Sequence, residues 1–189
     1  MIHVWALPLG TELTPSEWMY FYTQLPSDEQ LAIDQYRLWQ DRQRALLGRI
    51  LIRWALRQQL NIPIIQIIRS ANGRPFAADW QGDFNLSHSG EWLVVALTDR
   101  GHVGIDVEQI RPVSSEVLSY LLSDREQQTE NYLRLFYERW TLQEARFKAG
   151  VLDVATKLIY LDEEHPVSIC WYPKQFTVNI TVINTQQLI

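Results

Sequence analysis

A single cysteine, Cys170, stands in 189 residues, so no intrachain disulfide can form and a disulfide-built secreted domain is excluded. No apolar run approaches the roughly 18 residues that a membrane span needs. The opening segment, Met1-Ile2-His3-Val4-Trp5-Ala6-Leu7-Pro8, has no basic stretch and soon turns polar, unlike a signal peptide. These absences predict a cytoplasmic chain with no membrane association. Low-complexity tracts, repeats and obvious linkers are also missing. Positive charge is in deficit, with a formal net charge of −5, which argues against a nucleic-acid-binding module.

What is present fits a packed protein. Hydrophobic residues make up 47% and charged residues 21%, a balance that supports a core and opposes global disorder. Eight tryptophans add large apolar area to that core. The length suits one large domain or two small ones. Within this acidic chain Arg37, Arg42, Arg44, Arg49, Arg53 and Arg57 crowd into one segment. Such a segment is either a solvated helix face or a local site for an anion.

Ser27-Asp28-Glu29-Gln30 predicts a helix start, with acids where the N-terminal dipole favours them. From Arg42 to Leu60 the pattern is helical, and Leu46, Leu47, Ile50, Leu51 and Trp54 share one face. Arg42, Arg49, Arg53 and Arg57 fall on another side. Pro63 breaks that helix, and Ile64 to Arg69 is rich in β-branched residues, as in a strand. Asn72-Gly73 signals a turn. Trp92 to Leu97 predicts a strand, and Val103 to Glu108 is expected to run back as its antiparallel partner. Ser123-x-x-Glu126 matches a capping box opening a helical region that reaches Lys148 and stops at Gly150. Thr177 to Val182 alternates like a half-buried strand. Helices interspersed with antiparallel strands indicate α+β.

Three short segments carry chemistry. In Gly104-Ile105-Asp106-Val107-Glu108, strand alternation turns Asp106 and Glu108 away from Val103, Ile105 and Val107. Two residues span roughly 6.5–7 Å along a strand, so the two carboxylates can converge on one hard cation such as magnesium. The same two acids also fit an exposed strand face. In Trp140-Thr141-Leu142-Gln143-Glu144-Ala145-Arg146-Phe147-Lys148, Glu144 and Lys148 stand one helical turn apart. They form either an ordinary surface pair or a third acid and a cation for a metal–diphosphate site. In Phe84-Asn85-Leu86-Ser87-His88-Ser89-Gly90, small polar groups before a strand can offer donors to phosphate, or His88 can be a structural turn residue.

In this order, Asn72-Gly73-Arg74-Pro75, Asn85 to Gly90, Gly104 to Glu108 and Trp140 to Lys148 resemble the successive signatures of the 4′-phosphopantetheinyl transferases. The likeness is to their surfactin-type, two-lobed monomeric branch, and it runs from about residue 27 to 150. Arg42-Gln43-Arg44-Ala45-Leu46-Leu47-Gly48 is similar to that branch's N-terminal helix. The resemblance implies two pseudo-symmetric lobes, 1–102 and 103–189, each an antiparallel sheet packed against a long helix. The implied reaction moves 4′-phosphopantetheine from coenzyme A to a serine of an apo acyl or peptidyl carrier protein and releases 3′,5′-ADP. The implied metal ligands, for Mg2+ or Mn2+, are Asp106, Glu108 and Glu144. Arg44, Arg74, Ser87, His88 and Lys148 would bind the coenzyme, and Glu144, Lys148 and Asp106 would carry the catalysis. Acidic carriers could dock on the arginine-rich side through Arg49 and Arg53. One departure stands out. Gln143 replaces the usual motif lysine, so weaker coenzyme binding, or a non-catalytic coenzyme- or carrier-binding paralogue, is the alternative.

Overall fold

The computed structural model describes residues 1–60, 66–70, 73–78 and 80–189. The expected strand residues 64 and 65, Pro63 and Asn72 lie outside the described residues. The chain begins with β1 (Ile2–Pro8), followed by three helices, α1 (Pro15–Tyr22), α2 (Ser27–Asp34) and α3 (Trp39–Leu60). A short antiparallel pair, β2 (Ile67–Arg69) and β3 (Pro75–Ala77), precedes β4 (Asp83–Ser89), β5 (Trp92–Thr98) and β6 (His102–Val107). Next come α4 (Ser115–Leu118), α5 (Asp124–Gln127), α6 (Tyr132–Ala149), β7 (Ala155–Tyr160), β8 (Pro166–Tyr172) and β9 (Val178–Val182). The fold is α+β.

Two sheets lie at its centre. The first has the order β4-β5-β1-β9, with β1 and β9 parallel and the other pairs antiparallel. The second has the order β6-β8-β7 and is antiparallel throughout. Strand alternation explains the layers. Trp5, Leu7, Leu93, Val95 and Leu97 share one core with Leu46, Leu47, Ile50 and Leu51 of α3. The opposite residues Val4, Ala6, Val94 and Ala96 pack against Val103, Ile105, Val107, Val167 and Ile169. On the far side of the second sheet, Cys170 meets Ala145 and Ala149 of α6. The result is helix, sheet, sheet, helix. A strand covered on both faces should be apolar along its length, and β5 is buried from Leu93 to Thr98.

Two expectations are corrected. The strand at 103–108 does not pair with 92–97. Both edges of β5 are already taken by β4 and β1, so the chain turns at Gly101, with φ of 83°, and β6 pairs with β8 instead. The helical region from Ser123 is not continuous either. Ser123 and Glu126 do form the capping box of α5, but the chain turns at 128–131 before α6 starts. Helix α6 ends as expected at Gly150, which is left-handed at φ 70° and donates its N–H to Arg146 and Phe147 carbonyls. The 102/103 boundary falls inside β6, just after its first residue, and β9 returns to pair with β1.

Candidate active site

The polar centre of the molecule lies on the seam where the edge strand β4 runs beside the edge strand β6. An edge strand presents unpaired N–H groups, and here side chains satisfy them. Val103 N donates to Asp83 Oδ2 (2.8 Å), Ile105 N to Asn85 Oδ1 (2.9 Å) and Gln109 N to Ser89 Oγ (3.1 Å). Val107 N donates more weakly to Ser87 Oγ at 3.4 Å. Acceptors at 83, 85, 87 and 89 therefore lace β4 to β6 with a period of two. This explains why the Asn85 side chain is committed within the protein.

The lacing sets the acids in place. Asp106 is 3% exposed, and its Oδ1 accepts from Ser87 Oγ (2.9 Å) and Lys148 Nζ (2.5 Å). Lys148 Nζ also donates to Ser87 Oγ at 3.2 Å and Ile105 O at 3.3 Å. Burial pushes the Asp106 carboxyl up to about 6, with Lys148 and Ser87 pulling it down and Glu108 adding to the rise. Glu108, just past β6, accepts from Ser89 Oγ at 2.8 Å. Lys148 reaches Asp106 because α6 lies directly on β6. A Cβ at Gly104 would sit 2.0 Å from the Ala145 carbonyl oxygen and 2.5 Å from Ala149 N, so glycine is required for that approach.

Thus Ser87, Asp106 and Lys148 meet, and Glu108 is next along the same edge. Glu144 is partly buried on α6, and no hydrogen bond or ion pair ties it to Lys148 among the described residues. Gln143 is exposed on the same helix. The fit to a divalent cation is mixed. Asp106 Oδ2 is buried and makes no hydrogen bond, which suits a cation, and the acids offer hard oxygen donors. Yet among the described residues no three His, Cys, Asp or Glu side chains are grouped closely enough to hold an ion.

Strand alternation sends His88 to the opposite face of β4 from Ser87. There it lines an open cavity of about 1070 Å3, bordered by Arg44, Arg49, Arg53, Arg57 and Arg69. The His88 ring is reached by solvent, but desolvation within this concavity, then Arg44 and Lys148, lower its pKa. Arg44 is braced by donation to Gly90 O (2.9 and 3.3 Å) and to Asp41 (2.9 Å). Glu29 lies between two guanidiniums, 2.7 Å from Arg53 and 3.4 Å from Arg49. Burial is the main cause lowering Arg49's pKa. Arg53 is 8% exposed, so the expectation that Arg49 and Arg53 form an outer docking face is corrected: both turn inward to Glu29.

Arg74 is also committed internally. It donates to both oxygens of Asp83 at 2.8 Å, to Val103 O at 3.1 Å, and to the carbonyl of Lys148. It clamps β4, β6 and the end of α6 together. Sequence reasoning missed this clamp, the lacing role of Asp83 and Ser89, and Glu29. The available signal was the run of short acceptors at every second position from 83 to 89.

Comparison with known proteins assigns the two halves separately. Residues 12–100 match the model described as 4′-phosphopantetheinyl transferase, N-terminal, and residues 102–180 match that of the 4′-phosphopantetheinyl transferase superfamily. The chain belongs to the 4′-phosphopantetheinyl transferase superfamily. Among its relatives, the 4′-phosphopantetheinyl transferase gsp of Aneurinibacillus migulanus is 29% identical over 188 residues, covering 95% of this chain and 75% of that one. The 4′-phosphopantetheinyl transferase psf-1 of Bacillus pumilus is 35% identical over 133 residues, 64% of this chain and 55% of its own. An L-aminoadipate-semialdehyde dehydrogenase-phosphopantetheinyl transferase of Rattus norvegicus is 29% identical, covering 77% and 54%. The chain thus spans about half the length of the last two. No described helix of this superfamily member is long and apolar enough to cross a membrane.

Proposed function

We propose that the chain transfers 4′-phosphopantetheine from coenzyme A to a serine of an apo acyl or peptidyl carrier protein, releasing 3′,5′-ADP. The observation that carries this reading is the meeting of Lys148 and Ser87 on the buried Asp106, one strand's thickness from an arginine-lined cavity. The cavity cations and His88 would hold the phosphates of the nucleotide portion. Lys148 and Ser87 would meet the diphosphate, and such transfers depend chiefly on positioning and charge neutralisation.

The serine oxygen forms a bond to the phosphorus next to the pantetheine as the bond from that phosphorus to the 3′,5′-ADP oxygen breaks. Glu144, or a water it orients, takes the serine proton. Asp106, Glu108 and Glu144 would hold Mg2+ or Mn2+. When bound, the ion supplies further neutralisation of diphosphate charge. Transferase names among the relatives support catalysis over a non-catalytic paralogue. We also propose a monomer acting in the cytoplasm.

The test is to incubate the protein with coenzyme A, Mg2+ and several apo-carriers, with Asp106→Ala as the blank, and weigh the products. A carrier gaining one phosphopantetheine only with the unmodified protein is expected, and chelation by EDTA should abolish the gain. No mass change on any carrier would overturn the reading.

A further inference from the structure

One buried histidine lies outside the residues assigned so far. His165 ends the β7–β8 turn and is 3% exposed. Its Nδ1 lies 2.7 Å from Asp162 Oδ1. That carboxylate is itself held from both halves of the fold. Trp92 Nε1, at the start of β5, donates to Oδ2 at 2.7 Å, and Glu164 N donates to Oδ1 at 2.9 Å. The ring is therefore locked in orientation. Its other nitrogen, Nε2, is buried and makes no hydrogen bond.

That nitrogen faces Gly90, the turn residue between β4 and β5. A Cβ built on Gly90 would lie 2.5 Å from His165 Nε2 and 2.8 Å from Gln109 Oε1. Gly90 also has φ of 53°, so only glycine seats both the turn and the ring without strain. Two parts of the site hang from this turn. The Gly90 carbonyl accepts both donors that aim Arg44 along the cavity. Next to it, Ser89 donates to Glu108 and accepts from Gln109 N, while Gln109 Nε2 reaches Glu164 Oε2 at 3.2 Å.

We infer that His165 is a positioning residue for the transfer: fixed by Asp162, its ring seats the Ser89–Gly90 turn, which in turn aims Arg44 into the cavity and holds Glu108 at the seam. It is not a catalytic residue, because its free nitrogen lies beneath the turn and is closed to substrate. A side chain acting only as core filler would contribute packing. This one sits where a second-sheet turn supports the first sheet's phosphate-facing loop. The catalytic consequence rests on the function proposed above; the structural claim does not.

The test compares His165→Ala and His165→Gln with Ile183→Ala, a core substitution remote from the turn that serves as the control for general destabilisation. Thermal melting sets the temperature at which all four proteins have the same folded fraction. Two readouts follow at that point. For His165→Ala, the Michaelis constant for coenzyme A is expected to rise about tenfold, the size of one loosened charge-assisted hydrogen bond, with kcat changed far less. Hydrogen exchange at Arg44 Nε–H, followed by NMR, should quicken in His165→Ala and not in Ile183→Ala, with His165→Gln intermediate in both readouts. Equal changes in His165→Ala and the control, or an unaltered Arg44 exchange rate, would overturn the inference. If the unmodified protein neither binds nor uses coenzyme A, the proposed function fails, and Arg44 exchange still decides the role of His165.

Discussion

Replacing Asp106 by asparagine should separate stability from activity, and its pH dependence reveals which force dominates the seam. Removing one member of a buried ion pair commonly costs about 3–5 kcal/mol, because the remaining charge loses its partner. Here that partner is Lys148, at 2.5 Å. Opposing this, burial raises the Asp106 carboxyl from 3.8 to about 6, a difference of roughly 3 kcal/mol against the ionised form. The sign follows from proton binding. As pH rises from about 4 to 6, the unfolded chain has lost the Asp106 proton while the folded protein keeps it. Wild-type stability therefore falls through that window and remains lower above it. Asparagine does not titrate, and the unpaired Lys148 is a constant cost across the range. Urea unfolding of both proteins at pH 4.5, 5.5, 6.5 and 7.5 isolates the effect, since other groups cancel in the difference. Across pH 4.5 to 7.5 the stability of Asp106→Asn relative to wild type should improve by about 2 kcal/mol, while transfer falls on the order of a thousandfold. A flat difference, or one sloping the other way, would refute the reasoning and show that the Lys148 pair outweighs burial.

Gly104→Ala should force α6 off β6, because the added methyl meets the Ala145 carbonyl. The expected cost is about 1–3 kcal/mol of stability in urea unfolding, together with a loss of transfer as Lys148 moves away from Asp106. Wild-type stability would show that the helix yields without strain. Glu29→Gln releases Arg49 and Arg53 from their shared counter-charge, so calorimetric affinity for 3′,5′-ADP should rise about tenfold, as for a gained charge-assisted contact. Unchanged or weaker binding would place the nucleotide phosphates elsewhere. Arg74→Lys loses the bidentate grip on Asp83 and should lower the melting temperature more than it weakens coenzyme A binding. The reverse order would mean that Arg74 serves the ligand directly.

Much of the local structure was legible because it depends on neighbours in the chain. The α3 stripe of Leu46, Leu47, Ile50 and Leu51 faces the first sheet as its spacing predicts. The Ser123–Glu126 cap and the Gly150 stop are also where their chemistry puts them. Strand pairing was less legible. Val103 to Glu108 follows a tight turn after β5, and a local reading makes it a hairpin partner. Nothing in those residues says that β1 and β4 already flank β5. Buried polar contacts were not legible either: Gln43 is 1% exposed, donates to Leu9 O and Thr11 O, and accepts from Leu13 N.

By itself the sequence determined which segments coil or extend, that one strand turns Asp106 away from Ile105, and which residue types could meet phosphate. These are short-range consequences of helical and strand period, capping and side-chain charge. Only the tertiary structure decided that Lys148 meets Asp106, that β4 runs beside β6, and that Arg74, Arg49 and Arg53 are already paired. Those outcomes depend on which sheet edges adjoin and how closely α6 lies on Gly104. Both depend on contacts between residues far apart in the chain, where local spacing carries no information.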